Sequence, residues 1–281
     1  MDPFVIVIVL ASAVMHATWN AFVKVGDDRL TSMATIIVVT ALLAPVLILV
    51  APTPAPASWK FIALSALLNN VYFFLLIAAY RYGDLSHAYP LARGSAPLLV
   101  AAGSVLFAGE HLAPTAIIGV ALVCGGIVSL LLSSGYGLRS GWRTIVYPLA
   151  TGMMIAAYTV IDAIGVRLSG SPAGFIGWLF LLFALPIMVT ALVMRGAHAG
   201  RFLRRRWRPA LVAGVLNFGS YGLAIWALSL GAMAPVSALR ETSVIIGAWI
   251  GTRLLGEAFG AQRIAAAVIV ATGIVLINIR A

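Results

Sequence analysis

The sequence predicts an all-α integral membrane protein of ten transmembrane helices, arranged as two inverted five-helix repeats. Charged residues make up only 9% of the 281 residues, whereas a soluble domain carries roughly a quarter. The mean hydropathy is +1.07, and apolar stretches long enough to cross a ~30 Å hydrocarbon layer recur along the whole chain. Matching residues also recur in order in the two halves, which is typical of an internal duplication.

Ten apolar spans lie between turn and charge signals such as Pro52-Thr53-Pro54 and Gly135-Tyr136-Gly137. No polar segment between them is long enough to form a soluble domain, so we expect residues 1–281 to form a single membrane domain. The predicted spans are 4–24, 30–50, 58–80, 86–107, 113–133, 144–167, 172–194, 208–229, 233–254 and 261–279.

Basic residues predict how the chain is oriented. The net charge of +10 would suggest nucleic acid for a soluble protein, but in a membrane protein basic loops stay on the cytoplasmic side. Most Lys and Arg residues lie in the loops after odd-numbered spans, with the densest run at 201–208. We therefore expect a multi-pass protein with both termini in the periplasm. The strong preference for Arg over Lys favours a bacterial source, and hence the inner membrane.

The second half repeats the first at a nearly constant offset. Asn217 follows Asn69 by 148 residues, and 254–257 repeats the pattern of 107–110 at an offset of 147. These matches predict a first repeat at residues 1–137 and a second at 138–281.

Because five is odd, the second copy crosses the membrane in the opposite sense from the first. Inverted copies create a pseudo-two-fold axis in the membrane plane, about which the two halves of a transporter can rock. A purely structural duplication is the alternative.

Several motifs resemble the ten-span EamA-type members of the drug/metabolite transporter superfamily over the whole chain. They are Ala13 with Trp19 in span 1, Tyr158 in span 6, and the Gly109-Glu110 and Gly256-Glu257 steps. The resemblance implies an exporter of amino acids or related metabolites, with a cavity lined by spans 1, 3, 4, 6, 8 and 9. Such proteins commonly have basic cytoplasmic termini, which the loop charges here do not favour. The two Gly-Glu steps predict helix caps or gates.

Three ionisable residues lie deep within spans: Arg93 in span 4, and Arg240 and Glu241 in span 9. Each costs at least ~2.5–3.5 kcal/mol at the membrane centre, so each needs a partner or a wet cavity. The offset of 148 maps Arg93 onto Glu241, which predicts that these opposite charges meet near the axis. A structural ion pair and a site for the carboxylate and ammonium of a substrate both remain open.

His16, Asp162 and Glu241 are the candidates for proton coupling. For His16 the alternative is a neutral imidazole that is hydrogen-bonded to a neighbouring helix. Asp162 is the carboxylate well inside span 6, and its alternative role is to accept a hydrogen bond or to pair with Arg167.

Aromatic and amide side chains inside the spans predict a small-molecule pocket. They favour a substrate of amino-acid size with an apolar or aromatic side chain, although packing between helices would use the same residues. With the three deep charges, the predicted substrate-binding residues are Trp19, Asn20, Asn69, Tyr72, Tyr89, Tyr158, Asn217 and Tyr221.

Prolines indicate where a helix could bend. Pro90 removes a backbone donor inside span 4, and broken helices near the midplane often mark transporter sites. We therefore predict Pro90 as a hinge, whereas Pro235 at the start of span 9 suits a first helical turn.

These features predict a secondary transporter that exports amino acids or related small metabolites by alternating access. Uptake or facilitated diffusion of the same solutes is an open alternative, and coupling to protons is also open. No Walker loop, zinc-ligand spacing or Ser-His-Asp arrangement occurs, so no enzyme activity, catalytic residue, metal site or cofactor is predicted. A small solute and membrane lipid are the expected partners, nucleic acid is not, and a monomer suffices.

Two rivals come from other functional classes. A membrane-embedded enzyme or lipid-handling protein would need clustered polar groups, whereas His16, His87, His111 and His198 are scattered. A receptor or scaffold would need no cavity.

Overall fold

The computed structural model describes residues 1–24, 29–82, 85–132, 141–255 and 261–278, and within these ranges the chain is helical apart from short connections. The helices are α1 (Pro3–Lys24), α2 (Arg29–Val50), α3 (Trp59–Tyr82, preceded by a 3₁₀ turn at Pro56–Ser58), α4 (Leu85–Ala108), α5 (Pro114–Leu132), α6 (Arg143–Ser169), α7 (Pro172–Arg195), α8 (Ala197–Leu230), α9 (Met233–Arg240), α10 (Thr242–Leu255) and α11 (Ala261–Asn278).

Within the described part of the chain, seven helices are long and apolar enough to cross a membrane: α1, α2, α3, α4, α6, α7 and α8. The described parts of α5 and α11 provide shorter apolar segments, Pro114–Ser129 and Val268–Ile277, and α9 and α10 have 8 and 14 residues. The predicted all-helical class and the presence of several membrane spans are confirmed. The count of ten spans and the inverted duplication stay predictions.

The turn between α6 and α7 shows how local chemistry ends one helix and begins the next. Gly170 follows α6 with a φ of +64°, a left-handed conformation that glycine adopts without steric penalty. Ser171 then caps α7, because its hydroxyl accepts a hydrogen bond from the Gly174 N–H at 3.2 Å. Pro172 occupies the first position of α7, where its missing N–H is no loss.

The helices pack in a regular set of pairs. α1 packs on α8 and α10, α3 and α4 pack on α6, α2 packs on α7 and α8, and α4 packs on α9. α5 runs along α11, and the closest crossing is between Gly119 and Gly273. A β-carbon on either would lie 2.6 Å from the carbonyl oxygen of the other, so this approach requires glycine on both helices.

Two helices depart from the predicted spans. α8 begins at Ala197, well before predicted span 8, and its backbone is non-helical at Arg206. Predicted span 9 is divided into α9 and α10 at Glu241, whose N–H bonds to the carbonyl of Ala238 at 3.1 Å. α4, in contrast, is helical across Pro90. Pro90 as a hinge stays a prediction, but the interruption near the site falls at Glu241.

Candidate functional site

A buried ion pair joins α4 to the α9–α10 junction. The Arg93 Nε donates a hydrogen bond to Oε2 of Glu241 at 2.9 Å, and the Arg93 Nη2 lies 2.9 Å from Oε1. The hydrogen bond and the ion pair together hold the Arg93 guanidinium against both carboxylate oxygens of Glu241. The two side chains are only 5% and 3% exposed. The residues that the offset of 148 related are therefore in direct contact, whatever their role.

Arg240 lies next to this pair in sequence but has a different environment. Its side chain is buried, with a relative exposure of 9%. The guanidinium carbon lies 5.5 Å from the centre of the Tyr221 ring, which is within the range of a cation–π contact. The Arg240 Nε has no hydrogen-bond partner among the described residues.

Tyr221 also belongs to a buried polar chain that crosses α3, α6 and α8. Its hydroxyl donates to Oδ2 of Asp162 at 2.5 Å and accepts a hydrogen bond from the Asn69 amide at 3.2 Å. Asp162 is 1% exposed, and it forms no ion pair with the described Lys and Arg residues. Asp162 therefore accepts from Tyr221, which agrees with one of its two predicted structural roles, and Arg167 pairs elsewhere.

Aromatic rings form a continuous wall beside the hydrogen-bonded residues Asn69, Tyr221 and Asp162. Tyr158 lies 5.8 Å from Tyr72 and 5.9 Å from Tyr221 between ring centres, both edge to face, a favourable arrangement. Phe180 of α7 stacks on Tyr221 at 5.6 Å. Phe180 was not among the predicted residues, because no polar residue lies near it in the sequence of α7 that would distinguish a site residue from one that packs between helices.

The remaining predicted residues lie in other contacts. The rings of His16 and Trp19 pack edge to face at 5.2 Å. The Asn20 amide donates to the carbonyl of His16 in its own helix at 2.8 Å, and the Asn217 amide donates to the Thr40 hydroxyl of α2 at 3.1 Å. None of these four predicted residues lines the cavity described below.

The side chains of Tyr89 and Pro90 lie outside the described part of the structure, and Glu257 lies outside the described residues altogether.

A small cavity lies against the ion pair, between α4, α6, α8 and α9. Polar side chains line one part of it and apolar residues such as Leu228 line the rest. The polar lining residues are Arg93, Thr159, Ser237, Arg240 and Glu241. The cavity holds little more than a water molecule, far less than the roughly 300–1,000 Å³ of a ligand pocket. A metabolite can therefore enter only if the surrounding helices move apart.

Glu110 organises a second polar cluster at the face of the bundle where α1 begins. Its Oε1 pairs with the Arg167 Nη1 at 2.8 Å, and its Oε2 accepts the N–H of Met233 at 2.9 Å. Arg167 also donates to the carbonyls of Leu228 at 3.0 Å and Gly231 at 2.7 Å. These five residues, the Glu110 cluster, tie the end of α4 to the ends of α6 and α8 and to the start of α9.

Comparison with known proteins identifies the family. The sequence model of the EamA-like transporter family matches twice, over residues 3–132 and 142–279. The chain belongs to the EamA-like transporter family.

This EamA-like protein is similar to a Sinorhizobium sp protein described as an uncharacterized transporter in the cobO 3′ region. The two are 32% identical over 130 residues, and the alignment covers 43% of this chain and 92% of that one. A solved structure described as the crystal structure of a protein has a TM-score of 0.77 at 14% identity, covering 99% of this chain and 97% of that one. The second likeness shows the fold alone. The predicted family is confirmed, and the protein is a transporter with several membrane helices.

Proposed function

We propose that this protein is a secondary transporter of the bacterial inner membrane that exports amino acids or related small metabolites by alternating access. The observation that carries the proposal is the buried Arg93–Glu241 pair, which lies beside a second buried arginine, Arg240. Ionisable groups at membrane depth are expensive, and in transporters they mark the path of the substrate. The tyrosine wall beside them supplies the apolar surface that a small-molecule site needs.

The packing of the helices supports alternating access between two related halves. Under the predicted repeat, α1, α2 and α3 correspond to α6, α7 and α8. The contact of α1 with α8 then has its counterpart in that of α6 with α3, and α2 with α8 has its counterpart in α7 with α3. The double match to the family supports the same duplication. Inverted halves of this kind rock about a central site.

The Glu110 cluster supports a closed state of one face. It joins predicted half one, through Glu110, to the second half, through Arg167 and Met233. Leu228 connects the cluster to the cavity, because its carbonyl accepts from Arg167 and the residue lines the cavity. Since that cavity is too small for a metabolite, we expect this cluster to separate during the cycle.

Buried charges of both signs favour a zwitterionic solute, and the rings of Tyr72, Tyr158 and Tyr221 favour one with an apolar or aromatic side chain.

For proton coupling, Asp162 is the strongest of the three candidates. Both oxygens of Glu241 contact Arg93, whereas Asp162 bonds to the neutral hydroxyl of Tyr221 and forms no ion pair with the described Lys and Arg residues. From the loop charges we propose that both termini are periplasmic. Uptake of the same solutes remains the alternative, since direction follows the gradients.

Counterflow into proteoliposomes tests the proposal. The purified protein is reconstituted into liposomes, and these are loaded with one unlabelled solute from a panel of amino acids, amines and metabolites. Uptake of the same solute in labelled form is then measured. We expect counterflow for at least one amino acid and its loss in Glu241→Gln, because that change leaves Arg93 buried beside a neutral partner. Lys60→Gln, at an exposed residue, is the control and should transport normally. Absence of counterflow for every solute would refute the proposal.

A further inference from the structure

The two buried arginines of the site differ in what they already bind. Arg93 directs its Nε and Nη2 at the two oxygens of Glu241. That is the edge with which an arginine binds a substrate carboxylate. An incoming carboxylate could use this edge only by displacing Glu241 and leaving it buried without its partner, which is unfavourable.

Arg240 has no such partner among the described residues. It forms no ion pair with a carboxylate of the described residues, and its Nε is buried without a hydrogen-bond acceptor among them. A buried N–H that lacks an acceptor is destabilising, so a ligand that supplies one gains free energy on binding.

The surroundings of Arg240 suit an anionic ligand. The Tyr221 ring lies 5.5 Å from the guanidinium carbon, and a ring contact of this kind does not use the in-plane N–H groups with which arginine binds planar oxyanions. Arg240 also lines the cavity together with Ser237. The Ser237 hydroxyl is an additional donor for a carboxylate, whereas the hydroxyl of Thr159, which also lines the cavity, donates to the carbonyl of Ile155 in its own helix at 2.6 Å.

We infer that Arg240 binds the carboxylate of the substrate, whereas Arg93 and Glu241 act as a fixed pair that holds α4 against the α9–α10 junction. The inference rests on the proposed function and narrows it, because the transported solute must then carry a carboxylate or a similar oxyanion. Amines without such a group are not substrates.

Ligand-dependent thermal stabilisation of the purified protein tests the inference. The probes are L-phenylalanine, 3-phenylpropionate, L-phenylalaninamide and phenethylamine, which share the ring but differ in the carboxylate. We expect stabilisation by the first two only. Arg240→Gln should weaken both by roughly 10- to 100-fold, the range for a hydrogen bond to a charged group. Arg240→Lys should retain part of the affinity because the charge remains.

A second test variant and one control make the result specific to Arg240. The double variant Arg93→Met/Glu241→Met replaces the pair by apolar side chains and should still bind 3-phenylpropionate within a few fold. Arg81→Gln, at an exposed arginine at the end of α3, should bind it as the parent does. An unliganded melting curve for each variant shows that it is folded.

The outcomes separate this inference from the proposed function. The inference is contradicted if phenethylamine or L-phenylalaninamide stabilises the protein as much as L-phenylalanine and 3-phenylpropionate do. It is also contradicted if Arg240→Gln binds these two carboxylates as tightly as the parent does. Loss of 3-phenylpropionate binding in the folded double variant assigns the carboxylate to Arg93 and also overturns it. If none of the four probes binds, the inference fails for aromatic substrates, whereas the proposed function fails only if counterflow is absent for the whole panel.

Discussion

Neutralising Glu110 should loosen one face of the bundle. In Glu110→Gln the carboxylate loses its ion pair with Arg167 and its charge-assisted bond from the N–H of Met233. The Arg167 side chain is 32% exposed and the Glu110 side chain is 13% exposed, so solvent screens the pair. Loss of this ion pair should therefore cost the closed state about 1 kcal/mol. A negative charge at the start of α9 adds about 0.3–1 kcal/mol. A total of about 1–2 kcal/mol corresponds to a roughly 5- to 30-fold shift towards the open state.

A cysteine-reactivity assay measures this shift directly. The chain has one cysteine, Cys124, which is buried in α5 and can be replaced in Cys124→Ala. Ser237→Cys then places a reporter on the cavity lining, at a residue only 7% exposed. In detergent micelles, the rate of modification by a charged thiol reagent reports how often the cavity opens.

We expect Glu110→Gln to raise that rate roughly 5- to 30-fold over the parent, as the free-energy estimate implies. Lys60→Gln changes one exposed charge outside the Glu110 cluster and should leave the rate unchanged. An unaltered rate in Glu110→Gln, or an equal increase in the control, would show that the Glu110 cluster does not hold the face closed.

Three further outcomes follow. Arg93→Ala and Glu241→Ala should each lower the free energy of unfolding by about 3–5 kcal/mol, because a single change leaves a buried unpaired charge. Replacement of both residues by Met should lower it by less. Melting curves in detergent measure these effects, and single variants as stable as the parent would contradict the prediction. Gly119→Ala should cost about 1–3 kcal/mol by overpacking in the same assay. Gly125→Ala, where an added β-carbon meets nothing within 4 Å, is the control. Asp162→Asn should abolish substrate-dependent proton movement in pyranine-loaded proteoliposomes while substrate binding persists; retained proton movement would exclude Asp162 as the coupling residue.

The membrane helices were predictable because hydrophobic length and turn residues are local signals. The bounds of α1 to α7 agree with the predicted spans within a few residues, since a charge or a Gly or Pro cluster marks most of their ends. The contact between Arg93 and Glu241 was predictable for a different reason. The predicted repeat relates positions that are far apart in the chain, and this information is absent from most single sequences.

The break at Glu241 and the partner of Arg167 were not predictable in the same way. The residues around Arg240 and Glu241 include no proline or glycine that signals an interruption, whereas α4 remains helical across Pro90. Asp162 was a possible partner for Arg167, but residues five apart on a helix point about 140° away from each other. Arg167 instead pairs with Glu110, a contact that depends on how separate helices meet.

The interruption between α9 and α10 gives two consecutive residues separate tasks. Arg240 ends one helix beside Tyr221, and Glu241, the next residue, is attached to Arg93 of α4. One peptide unit thus connects the arginine that we assign to the ligand with the ion pair that holds α4 against the α9–α10 junction. A solute that pulls on Arg240 exerts force on α4 through Glu241 without touching α4, so occupancy of the site can be communicated mechanically from the α9–α10 junction to α4.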